Sequence, residues 1–359
     1  MFIKSLSLSG FRNYKNATVY FDEGTNILFG DNAQGKTNVL ESIYMCATTK
    51  SHKGAKDKEI VNFDEDEAHI TLYLDKSGDE HKIDMVLRKD KSKVVAVNGS
   101  KIKKSSELLG LLNVVLFSPE DLSIIKNGPS ERRRFIDMEL CQLKNIYLYN
   151  LSNYNKIVDS RNKLIKDSFY NSDLLDTLNI WDAQLVSYGV QIIEKRDSFI
   201  KELNSIISEV HEKLTNGKEK LEIFYEPDVT VEDFERRLKE NRDKDIKYKT
   251  TGVGPHRDDF SFIVNGIDIR KYGSQGQQRT AALSLKLSEI EIVRRVTGHT
   301  PVLLLDDVLS ELDSKRQNYL LSTIGDIQTI ITCTGLDDFV NDNFRIDKVI
   351  KVINGTIDN

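Results

Sequence analysis

The apolar positions of this chain change their period along its length, and each change marks a different kind of element. Residues 3–8, 17–21 and 25–29 read as short strands separated by turn residues. From about residue 36 to residue 48 the period becomes helical, with Val39, Leu40, Ile43 and Tyr44 on one face. Alternation returns at 68–74, 82–87 and 93–97, with Asn98-Gly99 as a hairpin turn, so an antiparallel sheet is expected beside the first helix. A further strand-like run at 111–117 ends in Ser118-Pro119.

At Gly128-Pro129-Ser130 the pattern lengthens. Phe135, Met138, Leu143, Ile146, Leu151, Tyr154, Ile157, Val158, Leu164 and Ile165 recur mostly at three- and four-residue intervals to about residue 166, with Ser130 placed to cap the start. A second run spans Trp181, Leu185, Tyr188, Ile192, Phe199, Leu203, Ile206, Val210 and Leu214 and stops at Asn216-Gly217. Two long helices packed on each other are expected, because neither run sustains the a/d heptads of a long coiled coil. Charge thickens over 230–249, and a strand follows at 260–264 with an Asn265-Gly266 turn. Residues 280–296 read as an amphipathic helix closed by Gly298, 301–305 as a buried parallel strand, 314–324 as a helix, and 329–332 as a last buried strand. The chain is therefore expected to form a split α/β lobe from residues 1–125 and 250–359, with a mainly helical lobe from 126–249 inserted between its halves.

Composition narrows the class. At 359 residues, 39% hydrophobic and 30% charged, the chain is long enough for about two domains and ordinary for a globular protein. No run approaches a membrane span and the first residues lack a signal peptide's apolar core, which points to the cytoplasm and to no membrane partner. Cys46, Cys141 and Cys333 are too scattered for a disulfide framework or a zinc site, and the six histidines show no metal-ligand spacing. The net charge of −5 does not advertise nucleic-acid binding. Local runs still offer a basic face: Lys50, Lys53, Lys56 and Lys58; Lys89, Lys91, Lys93, Lys101, Lys103 and Lys104; and Arg132, Arg133 and Arg134.

The chemistry begins where the strand at 25–29 meets the first helix, at Gly30-Asp31-Asn32-Ala33-Gln34-Gly35-Lys36-Thr37. This is a Walker A loop. Its glycines let the backbone turn successive N–H groups inward, Lys36 can reach the β- and γ-phosphates of ATP, Thr37 can ligate Mg²⁺, and the helix beginning near Asn38 adds its positive end. The run Val302-Leu303-Leu304-Leu305 delivers Asp306 and Asp307 to a strand end, the Walker B pattern. Asp306 is expected to hold the metal and Asp307 to orient or deprotonate the attacking water. Roughly 270 residues separate Lys36 from Asp306, more than a domain, and a split ATPase head explains that spacing economically. No N-K-x-D guanine motif is present; Asn155-Lys156-Ile157-Val158-Asp159 has the wrong spacing.

Tyr272-Gly273-Ser274-Gln275-Gly276-Gln277-Gln278-Arg279 stands directly before the 280–296 helix. It resembles the signature motif of ABC-type ATPases at Ser274, Gly276 and Gln277 and departs from it at Gln275. A hydroxyl and N–H groups at a helix start form a second anion cradle, which would serve ATP bound to another subunit. As a purely structural feature the same residues are a helix cap.

Leu8-Ser9-Gly10-Phe11-Arg12-Asn13-Tyr14, the Walker A loop with Asn38 and Glu41, Phe117-Ser118-Pro119-Glu120-Asp121, Gly128-Pro129-Ser130 with Arg132, Arg133 and Asp137, Gly254-Pro255-His256-Arg257-Asp258-Asp259, the signature, and Leu305-Asp306-Asp307-Val308-Leu309-Ser310-Glu311-Leu312-Asp313 together resemble the bacterial RecF family of DNA replication and repair proteins. The resemblance spans essentially the whole chain. It implies an ABC/SMC-type P-loop ATPase head, with a mixed sheet, an antiparallel subdomain, a mainly helical second lobe and no long coiled coil. It also implies an ATP-dependent homodimer on DNA at duplexes and gap junctions, weak ATP hydrolysis used as a switch, and cooperation with RecR and RecO in loading RecA. No glutamine stands where ABC ATPases carry a Q-loop, so Glu120 or Asp121 would take the metal-water contact. Thr334 stands where transporters carry a switch histidine and would reach the γ-phosphate by a shorter hydrogen bond. Two other readings compete: an ABC ATPase subunit with a non-DNA partner, and a P-loop kinase acting on a small molecule, which needs no signature.

Overall fold

The computed structural model describes residues 1–335 and 345–358, apart from the side chains of Ser105 and Glu311. It divides into two compact units, Met1–Asp121 with Leu285–Asn359, and Leu122–Ser284.

The first unit holds two six-stranded sheets. One runs in the order Tyr14–Tyr20, Phe2–Phe11, Glu67–Lys76, Asp79–Arg88, Val94–Val97, Ser100–Lys101, antiparallel throughout. Its strands alternate because one face is buried, with Ile70, Leu72, Leu74, Ile83, Met85 and Leu87 all inside. The other runs Thr356–Asp358, Lys348–Ile353, Thr25–Phe29, Thr329–Cys333, Val302–Asp306, Val114–Phe117. Every pair in it is parallel except the terminal hairpin. Its strands Val302–Asp306 and Val114–Phe117 carry continuous apolar runs and are buried at every position, as strands covered on both faces are. The helix Lys36–Thr48 contributes Val39, Leu40, Ile43, Met45, Cys46 and Ala47 to one cluster that also holds residues of both sheets, among them Leu6, Ile70, Leu28, Leu304 and Ile330. In such a sheet, ligands gather beyond the C-terminal ends of the parallel strands. Here those ends carry Gly30, Asp306 and Ser118.

The hairpin Lys348–Ile353 and Thr356–Asp358 extends the parallel sheet past the strand that the hydrophobic pattern marks as its last. Within its two strands only Ile350 and Val352 are buried, too short an alternation to stand out.

The second unit is built on the helices Pro129–Leu143, Asn145–Asp167 and Leu178–Thr215, with an antiparallel sheet in the order Ile267–Asp268, Asp259–Val264, Leu221–Glu226. The single run expected over 130–166 is broken at Lys144, whose backbone is extended. Ser130 is not the cap; Gly128 holds that position, with Pro129 in the first turn. Asn216, at φ 53°, closes the long helix as its sequence signals. The boundary expected at residue 250 falls instead at Leu285, inside the helix Gln275–Thr297. The strand Asp259–Val264 pairs with Leu221–Glu226, which keeps it and the signature in the second unit.

The arginine cluster after Gly128 is largely structural. Arg132, 1% exposed, donates from Nε and Nη2 to the Asp259 carboxylate at 2.6 and 3.0 Å, and Arg133 donates to the Asp258 carbonyl at 2.7 Å. Arg196 bridges the partly exposed Asp137 and the buried Asp258, and Arg161 bridges Asp182 and Asp245, both buried. Removing one member of such a pair strands a buried charge, which costs about 3–5 kcal/mol.

Candidate nucleotide site

Between the strand Thr25–Phe29 and the helix Lys36–Thr48 the chain curls into a loop that only particular residues allow. Gly30 sits at φ 153°, and a Cβ there would lie 2.3 Å from the Val352 carbonyl oxygen. Gly35 sits at φ 116°, where a Cβ would meet Asn13 Nδ2 at 2.7 Å. The signature glycines of a Walker A loop are thus required here by close neighbours as well as by dihedral angle. Lys36, 5% exposed, folds back over the loop and donates to the carbonyls of Gly30 and Asp31 at 2.6 and 2.9 Å.

The loop is braced from outside by contacts that its own spacing does not reveal. Tyr14 Oη donates to the Gly35 carbonyl at 3.1 Å, and Asn13 Nδ2 to the Gln34 carbonyl at 2.8 Å. Asn38 Nδ2 donates to Asn13 Oδ1 at 2.9 Å. From the C-terminal hairpin, the Gly355 N–H donates to the Gln34 carbonyl at 3.1 Å and the Asn354 N–H to Gln34 Oε1 at 2.5 Å. Arg12 forks onto the buried Glu41 carboxylate at 2.9 and 2.7 Å, and Ser51 Oγ adds a third bond at 2.5 Å. Burial opposes ionisation of Glu41, yet the Arg12 and Ser51 hydrogen bonds outweigh it and hold the carboxyl below its ordinary value.

The two Walker elements meet across the parallel sheet. Thr37 Oγ1 donates to Asp306 Oδ1 at 2.8 Å, joining positions 269 apart. Thr332 Oγ1 donates to the same oxygen at 2.9 Å and accepts the Asp307 N–H at 3.0 Å. That second bond anchors Asp307 at φ 54°, a left-handed backbone for a non-glycine residue, strain of order 1–3 kcal/mol that surrounding structure must hold in place. A hydroxyl and a carboxylate, both hard oxygen donors, suit Mg²⁺, which takes few protein ligands and keeps waters and phosphates. Among the described residues no group of three or more His, Cys, Asp or Glu side chains could hold a metal alone.

Thr332 is the bridging residue that motif reading passes over. Thr334 lies exposed, one position beyond the strand Thr329–Cys333. Asp121 accepts the Ser118 N–H at 2.8 Å, and burial pushes its carboxyl up to about 6. Glu120 is exposed. The Glu311 side chain lies outside the described residues.

The signature lies in the second unit, at the start of the helix Gln275–Thr297. Ser274 Oγ accepts the Gln277 N–H at 3.2 Å, and Gln277 Oε1 accepts the Ser274 N–H at 3.0 Å, a reciprocal cap. Gln277 Nε2 also donates to Glu219 at 2.9 Å, while Ser274 and Gly276 are exposed. Of the lysine runs, Lys50, Lys53, Lys56, Lys58, Lys91, Lys101, Lys103 and Lys104 are exposed. Lys93 is committed to the Thr49 carbonyl and Asp57, and Lys89 to the Phe63 carbonyl. No helix among the described residues is long and apolar enough to cross a membrane.

A Walker A loop whose threonine meets the carboxylate of a distant parallel strand, beside an antiparallel sheet and with a helical insertion between the halves, defines a P-loop ATPase head of the ABC/SMC type. The model of the RecF/RecN/SMC N-terminal domain matches residues 2–357. The chain belongs to the RecF family of DNA replication and repair proteins. It is 60% identical over 358 residues to the DNA replication and repair protein RecF of Lachnoclostridium phytofermentans, covering 100% of this chain and 99% of that protein. It is 39% identical, with a TM-score of 0.93, to the recombination mediator protein RecF solved with ATP in the RecFOR pathway, covering 99% of this chain and 97% of that one. An SMC head bound to the C-terminal winged-helix domain of ScpA, 18% identical with a TM-score of 0.59 over 99% of this chain and 96% of that one, shares the fold.

Proposed function

We propose that this chain is an ATP-switched DNA clamp of recombinational repair: ATP drives a homodimer onto DNA at duplexes and gap junctions, slow hydrolysis releases it, and RecR and RecO act with it in loading RecA. The observation that carries the reading is the Thr37–Asp306 contact at 2.8 Å, which unites the two Walker motifs. Lys36 would leave its loop carbonyls for the β- and γ-phosphates, and the loop N–H groups would hold the rest. Thr37 and Asp306 would hold Mg²⁺, which supplies neutralising charge at the phosphates. Asp307 would orient the attacking water, Glu120 would take the Q-loop contact, and Thr334 would reach the γ-phosphate from its exposed position. Ser274, Gly276 and Gln277 would serve the nucleotide of the partner subunit, Ser274 exchanging its cap for that contact. Exposed lysines at 50–58 and 101–104 would meet DNA phosphates, with a salt dependence of about one slope unit per contact.

The test is the oligomeric state with and without ATP, read by light scattering. Ser274→Arg should bind ATP as a monomer yet neither dimerise nor hydrolyse. Mixing it with Lys36→Ala protein should restore one working site per heterodimer. A Ser274→Arg protein that dimerised and turned over normally would leave the signature as a helix cap and end the composite-site reading.

A further inference from the structure

Singly exposed aromatic side chains are common, but two segments of the helical unit that carry three of them are joined by a ring–cation contact. Phe169 and Tyr170, just past the helix Asn145–Asp167, are 76% and 88% exposed, and Tyr248, at the end of the helix Arg242–Tyr248, is 68% exposed. The Phe169 and Tyr170 rings meet edge to face at 5.2 Å between centroids. Lys249 Nζ lies 5.2 Å from the Phe169 ring centre, joining the two segments, and Lys247 Nζ lies 5.6 Å from the Tyr248 ring. The rings are therefore held by one another and by cations.

We infer that this aromatic–lysine tip, Phe169, Tyr170 and Tyr248 with Lys247 and Lys249, is a stacking platform for unpaired bases of a DNA strand. The inference rests on the DNA reading above and deepens it by naming a site for the single-stranded part of a gap. Every base offers a π-face, so exposed rings bind unpaired strands whatever their sequence, while adjacent ammonium groups meet the flanking phosphates. A paired base keeps its faces inside the stack and cannot use the rings. The charge around the tip is mixed: exposed Lys163, Lys166 and Lys244 stand near Asp167, Asp173 and Asp243 in sequence. Phosphate attraction alone is therefore weak there, and stacking must decide which DNA is held.

The experiment measures ATP-bound full-length protein on a gapped duplex and on a continuous duplex of equal length, with 2-aminopurine placed in the gap. In the double variant Phe169→Ala with Tyr170→Ala, affinity for the gapped duplex should fall about tenfold or more, affinity for the continuous duplex should hold, and the fluorescence quenching seen with wild type should vanish. Tyr170→Trp should retain the quenching. Equal loss on both substrates, or no loss on either, overturns the platform. A wild-type protein that grips duplex without favouring the gap overturns the platform alone, whereas one that binds neither DNA removes the DNA reading and the platform with it. If the double variant instead loses self-association measured without DNA, the tip is a protein contact and the inference fails.

Discussion

Thr332→Val isolates the junction between the Walker strands. The substitution keeps the volume of a side chain that is 2% exposed and removes its hydroxyl. The Asp307 N–H then loses the Thr332 hydroxyl at 3.0 Å, and Asp306 loses one of the two hydrogen bonds it accepts from Thr37 and Thr332. A part-buried hydrogen bond contributes about 0.5–1.5 kcal/mol and one to a charged acceptor about 1.5–3, so a net loss of about 2–4 kcal/mol is expected after local relaxation. For a unit of this size that lowers the melting temperature by on the order of 10 °C. With the Thr332 bond gone, Asp307 is held less firmly at φ 54°, and a loss of even about 1.4 kcal/mol of positioning costs tenfold in turnover. The nucleotide loop keeps Lys36 and Thr37, so ATP affinity should change little. Thermal melts, fluorescent-nucleotide titration and phosphate release separate these effects, and Thr332→Ser, which restores the hydroxyl, should recover both stability and turnover. A Thr332→Val protein that melts and turns over like wild type would falsify the bridging role. Thr334→Val should leave stability alone, and slowed turnover in that variant would mark its contact with the γ-phosphate.

Asp307→Asn keeps the shape but not the charge that orients water; ATP-driven dimers should accumulate while phosphate release slows by about 10²–10⁴-fold, and unchanged release would move the catalytic carboxylate elsewhere. Gly30→Ala places a methyl against the Val352 carbonyl, so both melting temperature and ATP affinity should drop, and wild-type affinity would contradict the close approach. Asp121, with its carboxyl raised to about 6 by burial, binds a proton in the folded state that the unfolded chain gives up near 3.8. The stabilisation from that proton is full below about pH 3.8 and is lost as pH rises through about 6; Asp121→Asn should therefore flatten the melting profile over that window and stabilise the protein above it by up to about 3 kcal/mol. A variant with the wild-type pH profile would refute the assignment.

Much of the nucleotide site is legible because its demands are local. Gly30 and Gly35 announce a backbone that other residues resist, and the apolar period from Val39 to Ile43 announces the helix that follows. The run before Asp306 announces a strand buried on both faces. The helical unit is less legible. Its sequence carries the 3.6 period, but the break at Lys144 leaves no proline or glycine to mark it. Arg132, Arg133 and Arg134 read as one basic tract, yet two of them are committed to Asp258 and Asp259, more than 120 positions away. A charge run and a buried ion-pair network look alike until the partners are in place.

What the chain's own order of residues determines is therefore the chemistry and the local backbone: a phosphate-binding loop, a strand ending in two carboxylates, a capped helix start at Ser274. These depend on dihedral preference, side-chain period and capping, all of which act within a few residues. What only the tertiary structure decides is which distant groups meet. The parallel register sets Thr332 beside Asp306, and that alone selects Thr332 over Thr334 as the residue that ties the Asp306 carboxylate to the Asp307 N–H. The C-terminal hairpin reaches the nucleotide loop through Asn354 and Gly355 because Lys348–Ile353 pairs with Thr25–Phe29. A strand's period is two whatever its partner, so its sequence says which face is apolar but not which neighbour it will have or in what register.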